Sequence, residues 1–183
     1  MTEETTDTAL LVMDVQPNIV ERLSDKDSYM QKATKAVEFA HRHKIPVIYV
    51  VVGFRAGYPE VGPSSKMFQA IKAMPRATMV DPAPAIPPTG TDIVVTKRRV
   101  SAFTGSDLEV LLRAQGIRHL VLAGIATSGV VLSTLREAAD KDYELTVLSD
   151  VCADFDDEVH TLLTKKVFPR QASVIELADW MAA

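Results

Sequence analysis

Apolar residues along the chain follow two alternating patterns. Thr8–Met13 reads Thr-Ala-Leu-Leu-Val-Met, an unbroken run of strand length. Met30, Ala33, Val37 and Ala40 then recur at spacings of three and four, which puts them on one face of a helix. Pro46 blocks further helix, and Val47–Val52 is a second buried run rich in β-branched residues. Asp92–Thr96 predicts a third strand. Ser106-Asp-Leu-Glu109 reads as a capping box opening a helix with Leu108, Leu111 and Leu112 inward, and Gly116 stands where that helix should end. His119–Gly124 predicts a fourth strand, and residues from Ser128 to about Asp140 a helix burying Val131, Leu135 and Ala138. Leu145–Leu148 predicts a fifth strand, Asp156 to about Lys166 another helix, and Ala172–Ile175 a short sixth strand. Strands without polar alternation, separated by amphipathic helices, imply a parallel sheet covered on both faces. The expected class is α/β, three layers deep.

Residues 53–90 interrupt this rhythm, with seven of the ten prolines and four of the eight glycines. Met67, Phe68, Ile71 and Met74 within it share a helical face. The segment is either a surface crossover, or a lid or oligomer contact beside a site.

The length of 183 residues fits one domain, expected to span 1–183, and a chain of this size can bury roughly 70% of its unfolded surface. A composition of 47% hydrophobic and 24% charged residues excludes a disordered chain. No apolar run approaches the ~20 residues of a membrane-spanning helix. The formal charge of −4, without a Lys/Arg block, argues against nucleic-acid binding. The single cysteine, Cys152, excludes an internal disulfide and a zinc site built on several thiolates. Met1–Asp7 is polar and acidic, without the features of a secretory signal. A cytoplasmic protein with no nucleic-acid or membrane partner is the expectation.

Ligands of open α/β sheets bind beyond the carboxyl ends of the strands. Those ends carry Asp14 and Gln16, then Lys97, Arg98 and Arg99, then Thr127 and Ser128, then Asp150 and Asp154. An acid and a base ending two apolar strands form either an acid/base pair in a desolvated cleft or a structural ion pair. Strand one is followed by Asp-Val-Gln-Pro rather than G-x-G-x-x-G, and no G-x-x-x-x-G-K-[ST] occurs, so dinucleotide and P-loop sites are absent. Ser128, Asp150 and His160 have the chain order of a hydrolase triad. Ser128 lacks a G-x-S-x-G elbow, however, and reads as a helix N-cap, with His160 on a helix. His41 and His43, two apart on a helix, diverge, so no metal is expected. Cys152 reads as a buried, inert thiol rather than a nucleophile.

Leu11-Val-Met-Asp14-Val-Gln16, Thr96-Lys97-Arg-Arg99-Val-Ser101-Ala102-Phe103 and Leu122-Ala-Gly124-Ile-Ala-Thr127-Ser-Gly-Val130-Val resemble the isochorismatase-like hydrolase superfamily, also called the cysteine hydrolase superfamily. The resemblance implies a six-stranded parallel sheet of order 3-2-1-4-5-6. It implies catalytic roles for Asp14 and Lys97. It further implies a non-proline cis bond at Ile125–Ala126 and a thiol six residues past Gly124. Val130 stands at the thiol position, so the thioester route of the amidase members is closed. Isochorismatases proper resemble this chain in lacking the thiol; they hydrolyse a vinyl ether with the Asp as general acid. The metal ligands of nicotinamidases are also missing, with Gly53-Phe-Arg55-Ala-Gly-Tyr58 in their place.

The expectation is therefore a cofactor-free hydrolase of a small anionic molecule, assembled as a homo-oligomer. Gln16, Arg55, Arg99 and Phe103 are expected to contact substrate, Arg55 or Arg99 taking a carboxylate. Ile125, Ala126, Thr127 and Gly129 complete the expected binding set, and the helix start at Ser128 is expected to offer N–H groups to an anion. The alternatives are a non-catalytic binding or scaffold member of the same fold, and a hydrolase using Ser128 or Thr127 in place of the thiol.

Overall fold

A computed structural model describes residues 6–74 and 79–182. Most of the acidic N-terminal stretch read above, and Pro75 of the proline-rich segment, lie outside them. The sheet has six parallel strands in the order β3-β2-β1-β4-β5-β6. They are β1 (Thr8–Met13), β2 (Val47–Val52), β3 (Ile93–Lys97), β4 (His119–Ile125), β5 (Glu144–Ala153) and β6 (Ser173–Ile175). The helices are α1 (Pro17–Val20), α2 (Lys26–Arg42), α3 (Lys66–Lys72), α4 (Leu108–Ala114), α5 (Leu132–Asp140), α6 (Asp157–Leu162) and α7 (Leu177–Ala182). Wide π-type turns precede α5 (Thr127–Val131) and follow α6 (Leu163–Val167).

The period-two alternation of strand side chains divides the interior into two cores. Leu10, Val12, Tyr49, Val121, Ala123 and Leu148 point to one face, where Ala33, Val37 and Ala40 of α2 and Trp180 of α7 pack. Leu11, Met13, Ile48, Val50, Leu120 and Leu122 point to the other, against Leu108 and Leu112 of α4 and Leu135 and Ala138 of α5. Both faces are covered, which is why these strands read as unbroken apolar runs.

Four local expectations need correction. β3 is displaced by one residue, because the Asp92 carboxylate bonds His41 (2.8 Å) and the Thr89 amide (2.8 Å); Lys97 thus ends the strand instead of following it. β5 runs to Ala153 instead of stopping at Leu148. Leu122 pairs with Val147 and Gly124 with Cys152, so two steps along β4 match five along β5. The bulged residues keep their polar side chains satisfied: Ser149 donates to the Ile175 carbonyl (3.1 Å), and Asp150 accepts from the Leu177 amide (2.7 Å) at the start of α7. The capping box at 106–109 does not form. Ser106 Oγ accepts from the Leu108 amide at 3.3 Å, while Glu109 bonds Arg113 and Lys141. The helix expected from Ser128 begins as the π-type turn, and regular α-helix starts at Leu132.

The chain turns outward from β1 in both directions, through β2 to β3 and through β4 to β6. The crevice beyond the carboxyl ends of β1 and β4 is therefore the switch point where such sheets bind ligands.

Candidate active site

Asp14 follows β1 directly, in the left-handed region at φ 55°, a conformation that aspartate tolerates better than most residues. Its amide donates to the Val50 carbonyl (2.7 Å) and its carbonyl accepts from the Gln16 amide (2.9 Å). This sharp turn aims the carboxylate across the end of β2 toward Lys97. Lys97 Nζ lies 2.9 Å from Asp14 Oδ2, and donates a second bond to the Arg99 carbonyl at 2.9 Å. Both side chains are buried, Asp14 at 7% and Lys97 at 1% exposure. Asp14 Oδ1 is buried and has no hydrogen-bond partner among the described residues. Loss of hydration pushes the Asp14 carboxyl up to about 6, against the opposing pull of the Lys97 ammonium.

The pair sits against a cavity of about 240 Å³. Ile125, Ala126, Gly129, Val130, Val52 and Val100 line it together with the pair. The Ile125–Ala126 bond is cis. Met67, Phe68, Ile71 and Met74 of the α3 region also line the cavity, so part of the proline-rich segment borders the site. Asn18, Arg22 and Phe155 complete the rim, where the Arg22 guanidinium lies 4.0 Å from the centre of the Phe155 ring. Val130 thus faces the same cavity as Asp14 and Lys97.

Several residues expected to contact substrate have other partners. Gln16 holds β1 to β2: its Oε1 accepts from the Val52 amide (2.8 Å) and its Nε2 donates to the Val52 carbonyl (3.3 Å). Arg55 is exposed and paired with Glu60. Arg99 donates to the carbonyls of Arg98 (2.6 Å) and Glu60 (3.0 Å). Phe103 packs against Tyr143 on the opposite core. Thr127 is buried and its Oγ1 is 2.8 Å from His160 Nδ1. None of these five lines the cavity. The helix start at Ser128 is taken by the protein's own acid, since Asp154 Oδ2 accepts the Ser128 amide at 2.6 Å. Ser128, Asp150 and His160 form no triad: Asp150 pairs with Lys32 (3.3 Å) and caps α7, and His160 pairs with Thr127. Cys152 is buried and its thiol is pushed up to about 12 by burial. Among the described residues, no group of three or more His, Cys, Asp and Glu side chains is placed to hold a metal.

Arg22 and Phe155 were not legible as site residues. Phe155 lies just past β5, where an apolar residue carries no signal of chemistry. Arg22 lies beyond α1, and no spacing marks it.

Residues 8–179 match the isochorismatase domain. The chain belongs to the isochorismatase family. It is 34% identical over 164 residues to an uncharacterized isochorismatase family protein of Bacillus subtilis, covering 89% of this chain and 86% of the relative. It is 32% identical over 174 residues to the ureidoacrylate amidohydrolase RutB of Acinetobacter baylyi, covering 79% and 70%. The solved structure of an isochorismatase family protein from Burkholderia thailandensis superposes with a TM-score of 0.80 at 32% identity, covering 96% of this chain and 94% of that one. The sheet order and flanking helices are those of the isochorismatase α/β fold. Among the described residues, no helix is long and apolar enough to cross a membrane.

Proposed function

We propose that the protein is a cofactor-free hydrolase acting on a small anionic molecule, with Asp14 as general acid toward a vinyl ether. The observation that carries this reading is the buried Asp14–Lys97 pair opening onto a small, mostly apolar cavity in which the family's thiol position holds Val130. Valine has no lone pair with which to attack a carbonyl, so a covalent acyl route has no nucleophile there. An acid-catalysed route needs none. The ureidoacrylate amidohydrolase relative supports hydrolysis as the reaction class.

The proton sits on Asp14 Oδ1, the oxygen without a partner among the described residues, while Oδ2 stays on Lys97. Transfer of that proton to the terminal carbon of the C=C–O unit forms a C–H bond from the π electrons and leaves an oxocarbenium ion. The Lys97 ammonium stabilises the carboxylate so formed. Water adds to the cationic carbon and loses a proton to Asp14, which restores the acid. The resulting hemiketal breaks its C–O bond, with a proton passing to the departing oxygen, and yields a carbonyl compound and an alcohol. The sum consumes one water. A carboxyl group held near 6 remains partly protonated at neutral pH, as this role requires. The cavity, at about 240 Å³, falls below the ~300–1,000 Å³ typical of larger ligands, which suits a small substrate.

A second reading, a binding protein without turnover, is favoured by Val130 itself. Incubation with isochorismate, followed by detection of released keto acid, separates the two. The hydrolase reading expects product from the wild type and loss of at least a hundredfold in D14N. Ligand bound equally by both proteins, with no product from either, would establish the second reading instead.

A further inference from the structure

We infer that Arg22, held over the Phe155 ring at the mouth of the cavity, is the residue that recognises a carboxylate on the ligand of this site. The inference rests on the cavity being a ligand site, as proposed above, and adds the chemical class and the contact that selects it.

The cations near the cavity differ in their partners. Lys97 is buried, with its ammonium group engaged by Asp14 Oδ2 and the Arg99 carbonyl. Arg98 lies 3.7 Å from Glu60 and donates to the Gly53 carbonyl. Arg99 is committed to two backbone carbonyls, and Arg55 to Glu60. Arg22 also borders the cavity, and no carboxylate pairs with it among the described residues. The neighbouring Glu21 is engaged by Lys26 at 2.8 Å.

The way Arg22 is held matters as much as its charge. A guanidinium over a ring is attracted by the ring's π face. The guanidinium N–H donors of Arg22 have no hydrogen-bond partner among the described residues and remain available for a two-pronged bond to a carboxylate. The Phe155 ring limits the orientations of an otherwise long and mobile side chain, so less ordering is needed when the ligand arrives.

The rest of the lining defines the remainder of the ligand. Val52, Phe68, Ile71, Val100, Ile125 and Val130 offer no hydrogen bonds. Met67 and Met74 add adaptable thioether surface. An apolar or ring-shaped body fits this lining, with its carboxylate outward on Arg22 and its reactive end inward at Asp14.

The test compares benzoate with benzamide, two flat probes of equal size that differ in charge, titrated by NMR into wild type, R22Q and R22K. Benzoate should bind the wild type better than benzamide does. R22Q should weaken benzoate about tenfold, the loss expected for a hydrogen bond to a charged group, and leave benzamide within about twofold. R22K, which keeps the charge but not the planar fork, should fall between. Equal loss of both probes in R22Q would show that Arg22 contributes packing alone and would overturn the inference. So would unchanged benzoate binding in R22Q, or a wild type that prefers benzamide or binds neither probe. None of these readings depends on turnover, so failure of the general-acid proposal in D14N and failure of the Arg22 assignment are separate results.

Discussion

Replacing Asp14 with asparagine keeps the shape of the side chain and removes its ability to ionise. The Asp14 carboxyl is pushed from 3.8 up to about 6, first by loss of hydration, with Lys97 pulling the other way. Asp14 is 7% exposed, so solvent screening discounts little. At 1.36 kcal/mol for each tenfold change in proton affinity, the native state disfavours the ionised carboxyl by about 3 kcal/mol. The unfolded chain ionises near 3.8 and the native protein near 6. Between those values the native state holds more protons, so the wild type loses stability as pH rises, and the loss is complete above about 6. D14N carries no such term. It should therefore match the wild type near pH 4 and exceed it by about 1–3 kcal/mol at pH 7–8, the lower end allowing for an unpaired amide N–H. Urea unfolding of both proteins, followed by circular dichroism from pH 4 to 8, measures the gap directly. A D14N protein less stable than wild type at pH 7, or a gap that does not change with pH, would refute the reasoning. The first result would mean that Lys97 outweighs desolvation.

Three further outcomes follow from the geometry. V130C should fold with a change under ~1.5 kcal/mol, because the two side chains are close in volume. Its new thiol, in the cavity with Lys97, should react with iodoacetamide far faster than Cys152, whose thiol is pushed up to about 12; mass spectrometry of the labelled peptide decides this. G124A should lose more than about 3 kcal/mol or fail to fold, since a Cβ there would lie 2.2 Å from the Met13 carbonyl oxygen and φ is 154°. Q16A should lose about 2–4 kcal/mol in urea unfolding, because the Val52 N–H and C=O lose their side-chain partner in the interior. Its binding of benzoate should stay near wild type, as Gln16 does not line the cavity.

The parts of the molecule legible in the sequence are those governed by local pattern. β1 and β2 appear with their observed bounds because a strand buried on both faces leaves an unbroken apolar run. Asp14 and Lys97 stand out because each is a charge at the end of such a run. The sequence shows only the first part of β5, because Ser149 and Asp150 look like a strand's end; their partners, Ile175 and Leu177, are more than twenty residues away in sequence. Arg55 and Arg99 looked like carboxylate receptors by residue type. Glu60, whose carboxylate pairs with Arg55 and whose carbonyl accepts from Arg99, engages both through the folding of residues 53–90. Arg22 and Phe155 meet across 133 positions of sequence (155 less 22), a distance over which no periodicity carries information. The sheet order and the cis bond at Ile125–Ala126 came from family resemblance, and both are present.

The central claim is that Asp14, although paired with an ammonium group, retains a transferable proton near neutral pH. The measurement that tests it most directly is the pH titration of the Asp14 side-chain carboxyl carbon by ¹³C NMR, assigned by the loss of its signal in D14N. A midpoint near 6, well above that of an ordinary aspartate, is expected. A midpoint below 4 would contradict it: Asp14 would be a permanently ionised member of a structural ion pair, and it could not serve as the general acid.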